Sequence, residues 1–299
     1  MWDFFRSGLI SLNNFKTQHK IDVVVSMWAI PGGFFAKKLK DKFNIPYIIW
    51  LLGSDLYVYG KIPVIKTILV EALKKADVLY ADGKDLSIQV KNLVSKDCSF
   101  LPSVSGFNSI DLKPKAEEKI VLTFLGRFEK VKGPDILLDA LILLKNKLQN
   151  HKINFIGTGQ LLLKLKEKTA KANLHKIIHF YGNIDSKKRI QNIVSSSNWL
   201  VIPSRSDSIP LVFSESMKCR TPVIVSDLPD LKFLVDKYNV GYVFKTGNIY
   251  QLANLLELLP NKKTEERRFS KNTAKLDDLF NVRTSTDTLK ETILKINSI

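Results

Sequence analysis

Three short stretches gather the residue types that hold a diphosphate and a sugar. The first is Gly126-Arg127-Phe128-Glu129-Lys130-Val131-Lys132-Gly133. It sets a guanidinium and an ammonium around one loop, and a forked Arg with a point-charge Lys suits a diphosphate bearing about two negative charges. The second is Gly157-Thr158-Gly159, where the lack of a Cβ lets backbone come close to a flat or anionic group. The third runs from Pro203 to Glu215, PSRSDSIPLVFSE. Pro210 fits the first turn of a helix with Asp207 or Ser208 near its cap. The free N–H groups of such a turn form an anion-binding end. Glu215 then lies ~7.5 Å further along the axis, where a carboxylate can accept two vicinal hydroxyls such as a ribose offers. Asp207 at the mouth can accept sugar hydroxyls. Each stretch alone also fits an ordinary loop, a capped helix or a solvated acid. Together they suit a nucleoside-diphosphate sugar.

The elements that must position these loops are short apolar runs alternating with amphipathic helical spacings. The runs are Asp22–Ser26, Pro46–Leu52, Asp77–Asp82, Cys98–Ser103, Val121–Arg127, Ile153–Gly159, Ile177–Asn183, Asn198–Ser204, Pro222–Asp227 and Val240–Thr246. Most do not alternate apolar with polar, so both faces are buried, which is the pattern of parallel strands covered by helices. A β-α-β-α order predicts an α/β fold with doubly wound parallel sheets. Ligands bind outside the carboxyl ends of such strands, where the three stretches fall. Ile136, Leu137, Ala140, Leu141, Leu144 and Leu148 predict a helix opening at Pro134.

The chain has 299 residues, which suits two domains of ~150 residues each. The polar stretch Ser103–Glu118 separates four strands from six. Expected domains are therefore 1–103 and 104–283, the second binding the nucleotide sugar. A helix over 284–299 is expected to pack back on the first domain. A helical Phe4–His19 leads straight into a buried strand, so the first domain reads as short by two or three βα units. That opens an alternative, an inactive or split-enzyme subunit that binds nucleotide sugar and needs a partner chain for transfer.

Forty-six Lys and Arg against 29 Asp and Glu leave +17. Residues 1–103 carry 14 basic and 9 acidic groups, net +5, so residues 104–299 carry +12. Such a field draws polyanions: nucleic acid, anionic lipid or phosphorylated substrates. No helix-turn-helix, RNP-like strand or aromatic platform accompanies the charge, which argues against nucleic acid. Phe34, Phe35, Leu39 and Phe43 alternate with Lys37, Lys38, Lys40 and Lys42, with Lys61, Lys66, Lys74 and Lys75 nearby. This basic amphipathic helix is read either as resting on an anionic membrane surface or as an ordinary helix with a wet Lys face. The longest apolar run, Ile45 to Gly53, falls well short of the ~20 residues a spanning helix needs. No apolar leader core follows the start, and two distant cysteines, Cys98 and Cys219, fit a reducing cytoplasm. His19, His151, His175 and His179 are scattered, and no Asp-x-Asp pair is present, so no metal or other cofactor is expected.

At these residues the sequence resembles the retaining family-4 glycosyltransferases of the GT-B fold. They have two doubly wound domains facing a cleft and transfer sugar from a nucleotide sugar. GRFEKVKG, with Gly126, Arg127 and Lys132, is similar to the family's diphosphate-binding segment, and IGTGQL, with Gly157 and Gly159, to its Gly-containing turn. HFYGNID, at Gly182–Ile184, resembles the loop that meets the nucleobase. Asp207 and Glu215 stand at the ends of a Glu-x7-Glu-like motif spanning Ser208, Ile209, Pro210 and Leu211. The resemblance implies that the first acid engages the transferred sugar and the second the ribose. DVVVSMWAIPG, WLLGSDL and KKADVLYADGKDL also resemble family segments, which implies that domain 1–103, with Gly53 and Asp55, is the acceptor side. Departures from the family are Asp207 for Glu, Ser208 for Gly, Leu52 for His, and the missing opening strand with its Gly-rich loop. The implied chemistry is metal-independent transfer with retention to a glycan or lipid-linked acceptor, as in surface polysaccharide or glycolipid assembly. It runs through an oxocarbenium-like transition state, with Arg127, Lys132 and the helix end after Asp207 steadying the departing diphosphate. The implied location is cytoplasmic, peripheral at the inner face of the membrane.

Overall fold

The computed structural model describes residues 2–112 and 119–297. The expected linker residues 113–118 lie outside that range. Every one of the ten apolar runs forms a strand: β1 (Val24–Met27), β2 (Tyr47–Leu51), β3 (Val78–Ala81), β4 (Ser99–Phe100), β5 (Ile120–Leu125), β6 (His151–Ile156), β7 (Ile178–Gly182), β8 (Trp199–Ile202), β9 (Val223–Ser226) and β10 (Gly241–Phe244). All strand pairs are parallel. The physical reason is visible in burial: all residues of β8 and β9 are shielded on both faces, so no polar side chain alternates there.

The chain divides into two compact units, one of Met1–Ser103 with Arg283–Ile299 and one of Val104–Val282. In the first unit the sheet order is β1-β2-β3-β4. Its core is built from Tyr47, Ile49 and Leu51 with Leu69, Ala72 and Leu73 of the helix Pro63–Lys75. The helix Val282–Asn297 belongs to this unit. Leu289, Ile293 and Ile296 pack on Ile48, Tyr80 and Leu101, and the Tyr80 hydroxyl meets Thr292 Oγ1 at 2.6 Å.

The helix Phe34–Phe43 packs one face on its own unit. Ala36 and Leu39 are buried, and Phe34 and Phe35 stack edge-on with Phe5 and Phe4 of the helix Trp2–Gln18. Two of its lysines are committed to carboxylates: Lys37 to Asp41 and Glu71, and Lys40 to Asp77 at 2.6 Å.

In the second unit the order is β10-β9-β8-β5-β6-β7. The chain starts in the middle at β5, winds outward through β6 and β7, then returns to β8 beside β5 and winds the other way. The direction of winding reverses between β5 and β8, which makes their carboxyl ends the crevice of a doubly wound sheet. Phe124, Phe155, Leu137, Leu141 and Trp199 fill the core beneath. Burying each such side chain contributes roughly 1.5–3 kcal/mol over leaving it exposed.

The segment after Ser103 is not a free linker. The buried Lys218 ammonium donates to the carbonyls of Ser105 (3.1 Å) and Phe107 (2.9 Å), Ile110 N–H donates to the Lys218 carbonyl, and Ser109 Oγ bonds Asp277. Polar composition marked it as linker, but its carbonyls are the partners of a lysine too deep for water to solvate fully.

Candidate active site

The crevice between β5 and β8 is lined by three loops that touch one another. The loop after β5 ends at Gly133, whose φ of +70° lies in the left-handed region, and a Cβ there would overlap the Pro203 carbonyl oxygen of the loop after β8. Gly157, at φ +130°, brings the loop after β6 equally close to the Gly126 carbonyl. Hydrogen bonds complete the weave: Phe128 N–H to Thr158 O (2.8 Å), Leu161 N–H to Phe128 O (2.9 Å) and Arg205 N–H to Val131 O (2.7 Å). The diphosphate-type loop therefore has its shape set by neighbours on both sides.

Lys132 and Asp207, 75 residues apart, are brought into contact. Lys132 Nζ lies 2.7 Å from Asp207 Oδ2, which also accepts from Ser204 Oγ at 3.0 Å. Both side chains are mostly shielded, so the site keeps one positive and one negative group poised together. Arg127 differs. Its side chain is 68% exposed, and its ion pair, at 2.9 Å, is with Glu129 two residues on.

The helix after β8 runs Leu211–Lys218. Pro210 precedes it as N-cap in an extended conformation, φ −67° and ψ 144°, rather than standing in the first turn, and no side chain caps the helix. This corrects the expected register by one residue. Asp207 Oδ2 is taken by Lys132 and Ser204 rather than by the helix N–H groups, and Ser208 is buried with its hydroxyl toward Asp230 at 3.4 Å. The first turn thus presents uncapped N–H groups beside the loop that carries Lys132. Ile209 and Pro210 are buried, and Leu211 is exposed.

Glu215 sits one turn into this helix, ~6 Å from its start. Burial pushes its carboxyl up to about 7, opposed by the positive charges of Lys187 and Lys218. No hydrogen bond or ion pair to the carboxylate is formed among the described residues. A desolvated carboxylate without donors is costly, and paired ligand hydroxyls would satisfy it. Ile184 is buried in the loop after β7.

In the first unit, Gly53 takes φ +93° at the turn after β2, opening the short helix Ser54–Tyr57. Asp55 is fully buried. Its carboxylate accepts from Ala29 N–H (2.7 Å) and Leu52 N–H (3.1 Å), so it ties the loop after β1 to the loop after β2. Burial raises its pKa, against the pull of those backbone donors. The expected acceptor contact is therefore corrected for Asp55: its oxygens are used up inside the unit and it positions loops.

Sequence reasoning passed over Arg205 and Asp135. Arg205 grips Asp135 with both guanidinium nitrogens (2.8 and 2.7 Å) and donates to the Lys130 carbonyl at 2.6 Å, clamping the loops after β5 and β8 together. Asp135 is held below the usual carboxylate range by that guanidinium, against its own burial. The available signal was an Arg two residues before Asp207, in a stretch read for its acids and its helix start.

Residues 108–276, more than half of the chain, match the family described as Glycosyl transferases group 1. An uncharacterized glycosyltransferase of Methanocaldococcus jannaschii is 29% identical over 245 residues, 81% of this chain and 66% of that protein. The phosphatidyl-myo-inositol mannosyltransferase of Mycobacterium leprae is 27% identical over 207 residues, 68% of this chain and 52% of that protein. The chain thus spans between half and two thirds of these relatives' lengths. Among solved structures, the sucrose-phosphate synthase of Thermosynechococcus elongatus superposes with a TM-score of 0.81 at 17% identity, covering 97% of this chain and 77% of that one. Anabaena HepE in complex with UDP-glucose gives 0.79 at 15% identity, covering 95% and 82%. At these identities the likeness is one of fold.

Proposed function

The chain belongs to the glycosyl transferases group 1 family and has the GT-B fold, and from that premise we propose that it transfers a sugar from a nucleoside-diphosphate sugar to a glycan or lipid-linked acceptor, with retention of configuration. One observation carries this reading: Lys132 and Asp207 meet at the reversal point of the sheet, beside the uncapped helix that bears the unpaired Glu215.

The donor's diphosphate lies against the loop Gly126–Gly133 and the first turn of Leu211–Lys218. Lys132, Arg127 and the turn's N–H groups face it, and they supply without a metal the positive charge a leaving diphosphate needs. Glu215, ionised, accepts the ribose hydroxyls. Asp207 shares Lys132 with the incoming phosphate and turns its free oxygen to the sugar. The bond from the anomeric carbon to the phosphate oxygen breaks as positive charge develops on the sugar. The acceptor hydroxyl attacks the same face and gives its proton to the departing phosphate oxygen, so nucleoside diphosphate and glycosylated acceptor leave. Family-4 membership fits this set. A cytoplasmic location at the inner membrane face suits the two separated free thiols.

The reading is tested by titrating UDP, GDP and ADP into wild type and Glu215→Ala, then comparing anomeric proton couplings of donor and product. Absence of any nucleotide binding by wild type, or an inverted product, refutes it.

A further inference from the structure

We propose that the turn and helix start from Val58 to Lys66 form a docking surface for an anionic lipid bilayer, which seats the acceptor edge of the first unit on a membrane-borne acceptor. This rests on the transferase reading above and names its acceptor as lipid-linked.

Val58, Ile62 and Val64 are 51%, 44% and 67% exposed, and Lys61, Pro63 and Lys66 between and beside them are exposed too. Pro63 starts the helix Pro63–Lys75 at its first position, while the residues that helix buries, Leu69, Ala72 and Leu73, all lie beyond the first turn. In the first turn Ile65 alone leans on the core, while Ile62 and Val64 on either side of it present branched aliphatic side chains to solvent. Single exposed apolar residues are ordinary. Three within seven positions, stiff at χ1 and strung from the turn Tyr59–Lys61 to the helix start, form a patch.

The charges around the patch are of one sign. Lys61 and Lys66 form no ion pair among the described residues. Between the buried Asp55 and Glu71, which faces Lys37, the sequence holds no acidic residue. Two lysines of the helix Phe34–Phe43 are neutralised by Asp41, Glu71 and Asp77 instead. Apolar side chains at the headgroup boundary with unpaired lysines beside them are what a lipid interface rewards. The chain's +17 adds long-range attraction to an anionic surface. No helix among the described residues is long and apolar enough to cross a membrane, so attachment through this patch is reversible.

Position decides what the docking is for. The patch begins three residues after Asp55, in the loop leaving the carboxyl end of β2. That is the edge at which parallel sheets take ligands. A bilayer held there puts its own headgroups, and any sugar carried on them, at the acceptor side.

The test is flotation of the full chain with phosphatidylcholine vesicles, with and without phosphatidylglycerol. Wild type is expected to float only with the anionic vesicles. Lys61→Gln with Lys66→Gln should weaken binding roughly 30-fold, Ile62→Asp with Val64→Asp should abolish it, and Lys38→Gln on the helix Phe34–Phe43 should leave it nearly unchanged. Melting temperature and the thermal shift given by UDP, GDP and ADP check that each variant is folded. Undiminished flotation of Ile62→Asp/Val64→Asp overturns the proposal. So does concentration-dependent self-association that this variant loses without any vesicle binding, since a second copy would then occupy the patch. Wild type that binds nucleotide but no vesicle sinks the docking surface and spares the transferase reading. Patch-dependent vesicle binding with no nucleotide response does the reverse.

Discussion

Glu215→Gln should make the protein more stable and bind its donor less well, and both effects should depend on pH. Burial lifts the Glu215 carboxyl from its ordinary 4.5 to about 7. The unfolded chain releases this proton near the ordinary value, whereas the native state holds it to about 7. Between those values the native state binds more protons, so this group's contribution to stability falls as pH rises, and it levels off above 7. The full difference corresponds to at most ~3 kcal/mol. Replacement by a neutral amide should therefore raise the unfolding free energy by about 1–3 kcal/mol at pH 8 and by little at pH 5. Donor binding runs the other way. Ribose hydroxyls donate to the ionised carboxylate and favour it, so affinity should drop as pH falls below 7. If the ionised form alone binds, it is ~9% of the protein at pH 6 and ~91% at pH 8, an apparent loss of about tenfold on acidification. Urea unfolding at pH 5 and pH 8, with calorimetric titration of nucleotide at pH 6 and pH 8, reads both. A Gln variant no more stable than wild type at pH 8 refutes the desolvation account. A nucleotide affinity in wild type that does not change between pH 6 and pH 8 refutes the role of Glu215 in ribose binding.

Lys132→Ala should lower kcat about 10²–10³-fold by removing a charge from the departing diphosphate. Arg127→Ala should also slow turnover, yet its exposed pair with Glu129 is worth only ~0–1 kcal/mol, so its melting temperature should stay near wild type. Gly133→Ala should destabilise by more than about 1 kcal/mol, because it strains a left-handed turn and drives a methyl into the Pro203 carbonyl, as denaturant unfolding would show. His151, buried with neither ring nitrogen hydrogen-bonded, has its pKa lowered by burial. The unfolded chain protonates this ring below ~6.5 while the native state resists, so stability falls on acidification through that range. His151→Leu should lose that part of the slope when melting temperature is followed from pH 7.5 to 5.5.

Much of the architecture follows from local sequence. Ten short runs, most without polar alternation, read as strands covered by helices, and all ten form parallel strands, the central β8 and β9 buried throughout and the edge strands β1, β4, β7 and β10 only in part. Pro134 with its string of Ile and Leu starts a buried helix where the spacing put it. Glycines and cations after β5 and β6 marked the loops in which the site is built, since close approach and charge are properties of the residues themselves. What the sequence could not supply is who stands beside whom. That β5 and β8 are neighbours, so that Lys132 meets Asp207 across 75 residues, is a fact of winding order. The Arg205–Asp135 clamp follows from the same winding, and in the first unit the withdrawal of Asp55 against Ala29 and the pairing of Lys40 with Asp77 likewise join segments distant in the chain, whereas Lys37–Asp41 is one helical turn. Periodicity reports how each segment meets a boundary between core and water, and it is blind to which segment lies on the other side. The ionisation of Glu215 shows the limit most plainly: the residue names a carboxylate, and only the packing around it decides that it holds its proton to about 7.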